Sequence, residues 1–235
     1  MKGESVTKKA LLIGNSDGIG LAATKELLKL GWQVTGISRS ESSIKDEAYE
    51  HAVAQVSNDD YLEKLESVVR ENEVIDLCVY FVGIGELLNF EDMSAEVDVV
   101  DVNLLGMIKT ASRVIPMMLR RGQGHFIGLS SLADDMLSPE APSYHASKAG
   151  FSNYLEGLAL ALKSKGVHVT NLRFGFVDTK MAKGDFKPFM MSAGKAAWHL
   201  LKCVEKKPMR YTAPWVVIPL IKFRKWVLNM SVLFG

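Results

Sequence analysis

Cysteine is nearly absent. The 235-residue chain carries two, Cys78 and Cys203, which excludes a disulfide framework and a multi-cysteine zinc site; both read as buried thiols of a reducing compartment. A charge excess of either sign is also missing, since 28 Lys and Arg stand against 27 Asp and Glu. That balance excludes the basic face of a nucleic-acid-binding domain and the charge-rich composition of a disordered tail. No apolar run reaches the roughly 20 residues of a spanning helix. The run behind the polar N-terminal residues, Ala10 to Ile13, is too short for a signal-peptide core. The five histidines, His51, His125, His145, His168 and His199, show no metal-ligand spacing. These absences leave a soluble cytoplasmic protein, without metal or nucleic acid, as the expectation.

What is present is an apolar fraction of 48% and a regular alternation. A single domain over 1–235 of this size buries roughly 70–75% of its unfolded surface. Short apolar runs at Lys9–Gly14, Gln33–Ile37, Ala52–Val56, Ile75–Val82, Gly124–Leu129 and Val167–Phe174 predict strands. Between them, helical periodicity predicts helices over Gly18–Leu30, a shorter Ser43–Glu50, Asp60–Glu71 with Asn58 or Asp59 as N-cap, a bent Ser94–Arg121, Ser143–Lys165 and Ser192–Lys206. Strands alternating with helices imply right-handed βαβ units, hence an α/β fold with a parallel sheet covered on both faces.

Two groups of residues carry chemistry. The first, Gly14-Asn15-Ser16-Asp17-Gly18-Ile19-Gly20, lies between the first strand and the first helix. Gly14 makes the sharp turn, Gly18 lets a pyrophosphate approach the backbone, and Gly20 permits close packing of helix on sheet. The helix N-terminus then offers free N–H groups and its dipole to phosphates. Glycines in a βα turn also serve plain turn chemistry. At the end of the second strand, Ser38-Arg39-Ser40 lacks the acidic residue that would hold a ribose 2′-hydroxyl. A guanidinium there suits a 2′-phosphate, which favours NADP(H) and leaves NAD(H) open. A solvated surface arginine is the bland alternative, and Asp17 is a counter-signal.

The second group is Tyr144 and Lys148, one helical turn apart, with Ser131 closing the strand before them and Asn103 in the preceding helix. An ammonium beside a phenol favours the phenolate and, in a poorly solvated site with the help of a positive nicotinamide, brings the phenol's pKa toward neutrality, which makes an acid/base group for carbonyl–alcohol chemistry. Tyr-x-x-x-Lys alone is equally an exposed helix pair. Ser131 is placed to hold a substrate carbonyl oxygen, and Asn103 to fix a water beside Lys148.

Together, G-x-x-x-G-I-G, Asn103, Ser131, Tyr144 and Lys148 resemble the short-chain dehydrogenase/reductase family over nearly the whole chain. The resemblance implies a Rossmann-type doubly wound parallel sheet with helices on both faces. It also implies that Tyr144 donates the proton, Lys148 binds the nicotinamide ribose and tunes Tyr144, Ser131 orients the substrate oxygen and Asn103 supports a proton relay. Hydride would come from the cofactor. Further cofactor contacts implied by position are Gln55, Val56, Gly83, Gly175, Val177 and Thr179. A homodimer or homotetramer is implied in the same way. The chain departs from the family pattern at Ile13 (usually Thr), at Tyr80-Phe81-Val82-Gly83 (usually Asn-Asn-Ala-Gly), at Gln55 (usually acidic) and at Phe174-Gly175 (usually Pro-Gly).

Met181, Phe186, Phe189, Met190 and Met191, with Met136 and Leu137, are adaptable apolar groups on the substrate side and fit a mostly apolar, uncharged molecule. They fit ordinary packing equally well. The stretch from Pro214 to the C-terminus mixes aromatics with Lys222, Arg224 and Lys225. It is read as a cap, an oligomer contact or a surface anchor; packing is favoured and a membrane surface is possible. Two other function classes compete with the enzyme. A non-catalytic NADP(H)-binding sensor or scaffold has no need of a proton donor, and a methyltransferase leaves the Tyr–Lys–Ser set unexplained.

Overall fold

The computed structural model describes residues 7–181 and 189–234. Seven parallel strands form the main sheet in the order β3-β2-β1-β4-β5-β6-β9. They are β1 (Lys9–Ile13), β2 (Gln33–Ser38), β3 (Tyr49–Val53), β4 (Leu77–Tyr80), β5 (Gly124–Ser131), β6 (Val167–Phe174) and β9 (Arg210–Ala213). A separate two-stranded pair joins β7 (Val177–Asp178) to β8 (Met191–Ser192).

Side-chain alternation along each strand decides how the helices pack. Leu11 and Ile13 of β1, with Cys78 and Tyr80 of β4, enter one core layer; Ala10, Leu12, Leu77 and Val79 enter the other. The first layer is covered by α2 (Tyr61–Asn72), α4 (Gly106–Arg121) and α5 (Pro142–Leu162). The second is covered by α1 (Gly18–Lys29) and α6 (Ala193–Lys206). Both faces of the central strands are therefore sealed, and each fully buried aliphatic side chain contributes about 1.5–3 kcal/mol.

Three sequence expectations need correction. The segment expected as a helix over Ser43–Glu50 is irregular and then extends into β3, so the third strand begins three residues before Ala52. Its Ala, Glu and Lys favour helix, but pairing of Tyr49 with Val34 in β2 overrides that weak preference. The N-cap of α2 is Asp60, with no side-chain cap bond, in place of Asn58 or Asp59. The seventh strand, β9, went unread because its four residues, RYTA, carry no apolar run; it lies at the sheet edge, paired to β6 alone.

The expected bent helix is three pieces. α3 (Ser94–Val100) and α4 are joined by a π turn over Asp101–Leu105. The widened turn is braced from the sheet, because the buried Tyr80 hydroxyl donates to the Val102 carbonyl at 2.6 Å. Asn103 thereby becomes fully buried.

Candidate active site

The sheet order reverses between β1 and β4, so their C-terminal ends diverge and leave a crevice there. A cleft of about 410 Å³ occupies it. Its walls include Gly14, Ser16, Asp17, Gly18, Ile19, Gly20, Ser38, Arg39, Gln55, Val56, Gly83 and Thr179, all singled out from sequence. Phe81, Ile84, Asp98, Leu129, Lys180 and Met181 are among the others.

The glycine loop is held by a residue whose structural part was not legible. The buried Ser38 hydroxyl accepts from the backbone N–H of Asn15 at 2.9 Å and of Ser16 at 3.1 Å, and donates to Asn15 Oδ1 at 3.1 Å. Asn15 is fully buried, and its Nδ2 donates to the Thr24 and Tyr49 hydroxyls. Asn15 thus braces the loop from below and does not line the cleft. Ser40 is exposed, 3.2 Å from Ser16 across the loop. Val177 is buried in the core, and Gly175 donates its N–H to Ala213.

At Gly20 an added Cβ would lie 2.3 Å from the Gly14 carbonyl oxygen and 2.7 Å from Asn15 Cα. Both are backbone atoms that Ser38 holds in place. Gly20→Ala is expected to lower stability by about 1–3 kcal/mol and to weaken dinucleotide binding; thermal melts with and without added NADPH check both.

The residues present fit a dinucleotide. Gly18 holds φ at +53°, and the cleft reaches the start of α1, where the helix presents its N–H groups and positive dipole end. Arg39 is exposed at the rim. Asp17 is the N-cap of α1, accepting from Gly18 N, and pairs with Lys180 across the cleft at 2.5 Å. Lys180 holds the Asp17 carboxyl below its ordinary pKa. The counter-signal at Asp17 is therefore partly neutralised within the cleft itself.

Tyr144 and Lys148 occupy the first turns of α5, where Pro142 suits the helix start. Tyr144 is half-buried, and its ring lies against Gly85, whose Cβ position is 3.2 Å from Tyr144 Cδ2 and 3.6 Å from Met181 Cε. Lys148 is buried; its ammonium donates to the Leu129 carbonyl at 3.0 Å and lies 4.9 Å from the Phe151 ring centroid. The Gly83 Cβ position is 3.4 Å from Lys148 Nζ and 3.5 Å from Asn103 Oδ1, so these two groups meet over Gly83. Asn103 accepts from Ile84 N at 2.8 Å and donates to the Ile84 carbonyl and to Ser147 Oγ. Three of its four hydrogen-bonding positions are thus taken by protein. Ser131 closes β5, and its hydroxyl caps the following 3₁₀ turn (Leu132–Asp135) by accepting from Ala133 N at 3.2 Å.

Electrostatics here differ from the sequence expectation. Burial raises the Tyr144 pKa above that of a free phenol, outweighing the hydrogen bond with Ser131 that lowers it. Burial also pushes Lys148 down to about 8, against the nearby Asp134 charge that raises it. The physical reason is shared desolvation: a buried ammonium is itself penalised, so it does not act as a full positive charge on the phenol. Without a bound cofactor, Tyr144 is a protonated donor at neutral pH.

Sequence reasoning also missed Gly85, Ser147, Asp134 and Lys180. Each stands close in sequence to a named residue (Gly83, Lys148, Ser131 and Thr179), but what it touches is set by the fold. Phe186 lies outside the described residues. Among the described residues, no group of His, Cys, Asp and Glu could hold a metal ion.

The short chain dehydrogenase family model matches residues 8–188. An uncharacterized oxidoreductase of Myxococcus xanthus is 30% identical over 222 residues, covering 88% of each chain. A 3-oxoacyl-[acyl-carrier-protein] reductase of Buchnera aphidicola is 29% identical, covering 74% of this chain and 75% of its own. Among solved structures, a short chain dehydrogenase from Burkholderia cenocepacia in complex with NADP superposes with a TM-score of 0.85 at 20% identity, covering 97% of this chain and 98% of its own.

Proposed function

The chain belongs to the short-chain dehydrogenase family, and from that premise we propose that it is an NADP(H)-dependent oxidoreductase interconverting a carbonyl and an alcohol on a mostly apolar small molecule. The observation that carries this reading is the meeting of Asn103 and Lys148 over Gly83, itself a wall of the glycine-loop cleft, with Tyr144 one turn before Lys148. When bound, the nicotinamide dinucleotide supplies or accepts the hydride.

The chain's own residues handle the proton. In reduction, the Tyr144 hydroxyl gives its proton to the substrate oxygen, and the Ser131 hydroxyl shares that oxygen. Lys148, fixed on the Leu129 carbonyl, stabilises the anion left on Tyr144. Asn103 ties Ile84 to Ser147 and so keeps the turn after β4 seated beside Lys148.

Arg39 at the rim and the absence of an acidic side chain in Ser38-Arg39-Ser40 support NADP(H) over NAD(H). Arg39→Ala is expected to weaken NADPH binding about ten- to a hundredfold, the scale of a lost charge-assisted contact, and to leave NADH binding unchanged. Titration by fluorescence with both cofactors checks it. Equal losses for both would remove the 2′-phosphate role.

An apolar substrate is supported by the exposed Leu137, Met181, Phe189 and Met190 and by Met181 meeting Tyr144 at Gly85. The Buchnera relative named as a 3-oxoacyl reductase fits the same class. NADPH consumption against apolar ketones, 3-oxoacyl thioesters, keto acids and sugars tests it. Turnover confined to keto acids or sugars would refute the apolar class. Tight NADPH binding without turnover of any member would favour the sensor. The exposed face of α5, with Ala146, Ala149, Asn153, Gly157 and Leu160, supports pairing with a second copy.

A further inference from the structure

We propose that the C-terminal helix α7 (Ile218–Phe234) is a docking surface for anionic lipid membranes. A helix seated on a soluble body normally turns its one apolar stripe inward. α7 turns an apolar face each way. Ile221 is buried against the body, and Leu228 is half-buried on that side. Leu220, Phe223, Trp226, Val227 and Met230 recur at helical spacing on the other side, with exposures from 66% down to 38%. Phe223 and Trp226 stack there with ring centroids 6.2 Å apart. Trp215, just before the helix, is 72% exposed.

Charge identifies the occupant. From Lys206 to the C-terminus the chain has six basic residues (Lys206, Lys207, Arg210, Lys222, Arg224 and Lys225) and no acidic one; Arg210 pairs with Glu156 and Lys225 with Asp135 on the body, so the excess rests on the other four. The rest of the chain, by contrast, holds all 27 acidic residues. A second copy placed face to face on α7 would bring two such cationic segments together. An anionic bilayer surface matches both the cationic segment and the outward aromatic face. No helix among the described residues is long and apolar enough to cross a membrane, so the geometry is that of a helix lying on the surface.

The seat of α7 connects to the site. Lys225 reaches Asp135 at 3.5 Å, in the 3₁₀ turn that Ser131 caps. Lys225 therefore ties α7 to the turn behind Ser131, and the proposed lipid face lies on the other side of that helix. The docking itself does not depend on the reaction assigned above.

Co-sedimentation of the full-length protein with vesicles of phosphatidylcholine alone, or with one-third phosphatidylglycerol, tests the proposal. Binding is expected to the anionic vesicles only, to weaken as salt is raised, and to blue-shift tryptophan emission. Phe223→Ser/Trp226→Ser is expected to lose binding at least tenfold by removing the aromatic pair. Lys222→Gln is expected to lose about fivefold, the share of one basic residue. Circular dichroism and size exclusion establish that each variant keeps the parent fold and size. Absence of vesicle binding by the intact protein overturns the proposal, as does binding that the double serine variant retains. A double serine variant that converts a dimer to a monomer, with the parent blind to vesicles, assigns the face to a second copy instead.

Discussion

Tyr144→Phe is expected to abolish turnover by a factor of about 10² to 10⁴, the usual contribution of a positioned general acid, while NADPH binding and thermal stability stay near those of the parent. The change removes one hydroxyl and keeps the ring that lies against Gly85. It leaves Lys148 on the Leu129 carbonyl and Asn103 on Ile84, because neither contact involves the phenol oxygen. The sign of the pH dependence follows from the raised pKa of Tyr144. Carbonyl reduction needs the protonated phenol, so its rate is flat through neutral pH and falls only in the alkaline range. Alcohol oxidation needs the phenolate, so its rate climbs as pH rises. NADPH absorbance followed in both directions across pH, for parent and variant, reads the effect. A variant within a few-fold of the parent would transfer the proton-donor role away from Tyr144.

The largest stability effect is expected behind the site. Arg173 donates to both Asp134 and Asp135, and the Arg173 and Asp134 side chains are only 5% and 4% exposed. Ser152 of α5 also donates to Asp134 and lies 2.8 Å from Ser130 of β5. Two charges this deep are tolerated because each answers the other. Asp134→Ala takes away the buried partner and leaves the guanidinium only the more exposed Asp135; it is expected to cost about 3 kcal/mol, read as a lowered urea midpoint. Asp134→Leu/Arg173→Met removes both charges and is expected to recover most of the loss. The double variant also asks a functional question. Asp134 raises the pKa of both Tyr144 and Lys148 by its charge, so a stable double variant should show its alkaline limb shifted to lower pH. A double variant as unstable as Asp134→Ala would mean that packing, and not charge pairing, holds this corner.

What could be read from sequence follows from how local each signal is. The glycine loop, Arg39 and the Tyr144–Lys148 turn each sit within one βα junction or one helical turn, so residue types at short spacing were enough. Six of the main-sheet strands are legible in the sequence, the third with its start misplaced from Tyr49 to Ala52. β9 is not, and the start of β3 is blurred, because an edge strand needs no continuous apolar run: Glu50 and Val53 of β3 are exposed. The Asp134–Arg173 pair spans 39 residues and the Ser38 brace of the loop spans 23. Contacts of that range are made by the sheet order and leave no pattern in the chain. The desolvation that raises the phenol's pKa in the chain alone is illegible in sequence for a related reason. Spacing shows that an amine stands one turn away, but how much water surrounds that amine is a property of the finished fold.

The π turn over Asp101–Leu105 fixes how this helix tolerates change. Such a turn is an α-helix holding one surplus residue. Deleting any single residue there would let the helix run regularly, and on backbone energy alone the shorter helix gains. Because the wide turn already absorbs the surplus residue, the flanking α3 and α4 would stay nearly in phase, and the change would fall on the turn itself. The side chain now lodged between Ile84 and Ser147 would swing out of register, and the Tyr80 hydroxyl would lose the carbonyl that the irregularity frees for it. A one-residue deletion in this turn thus gives a more regular helix and takes away the seat of Asn103, so the local gain in backbone regularity is a loss for the cleft.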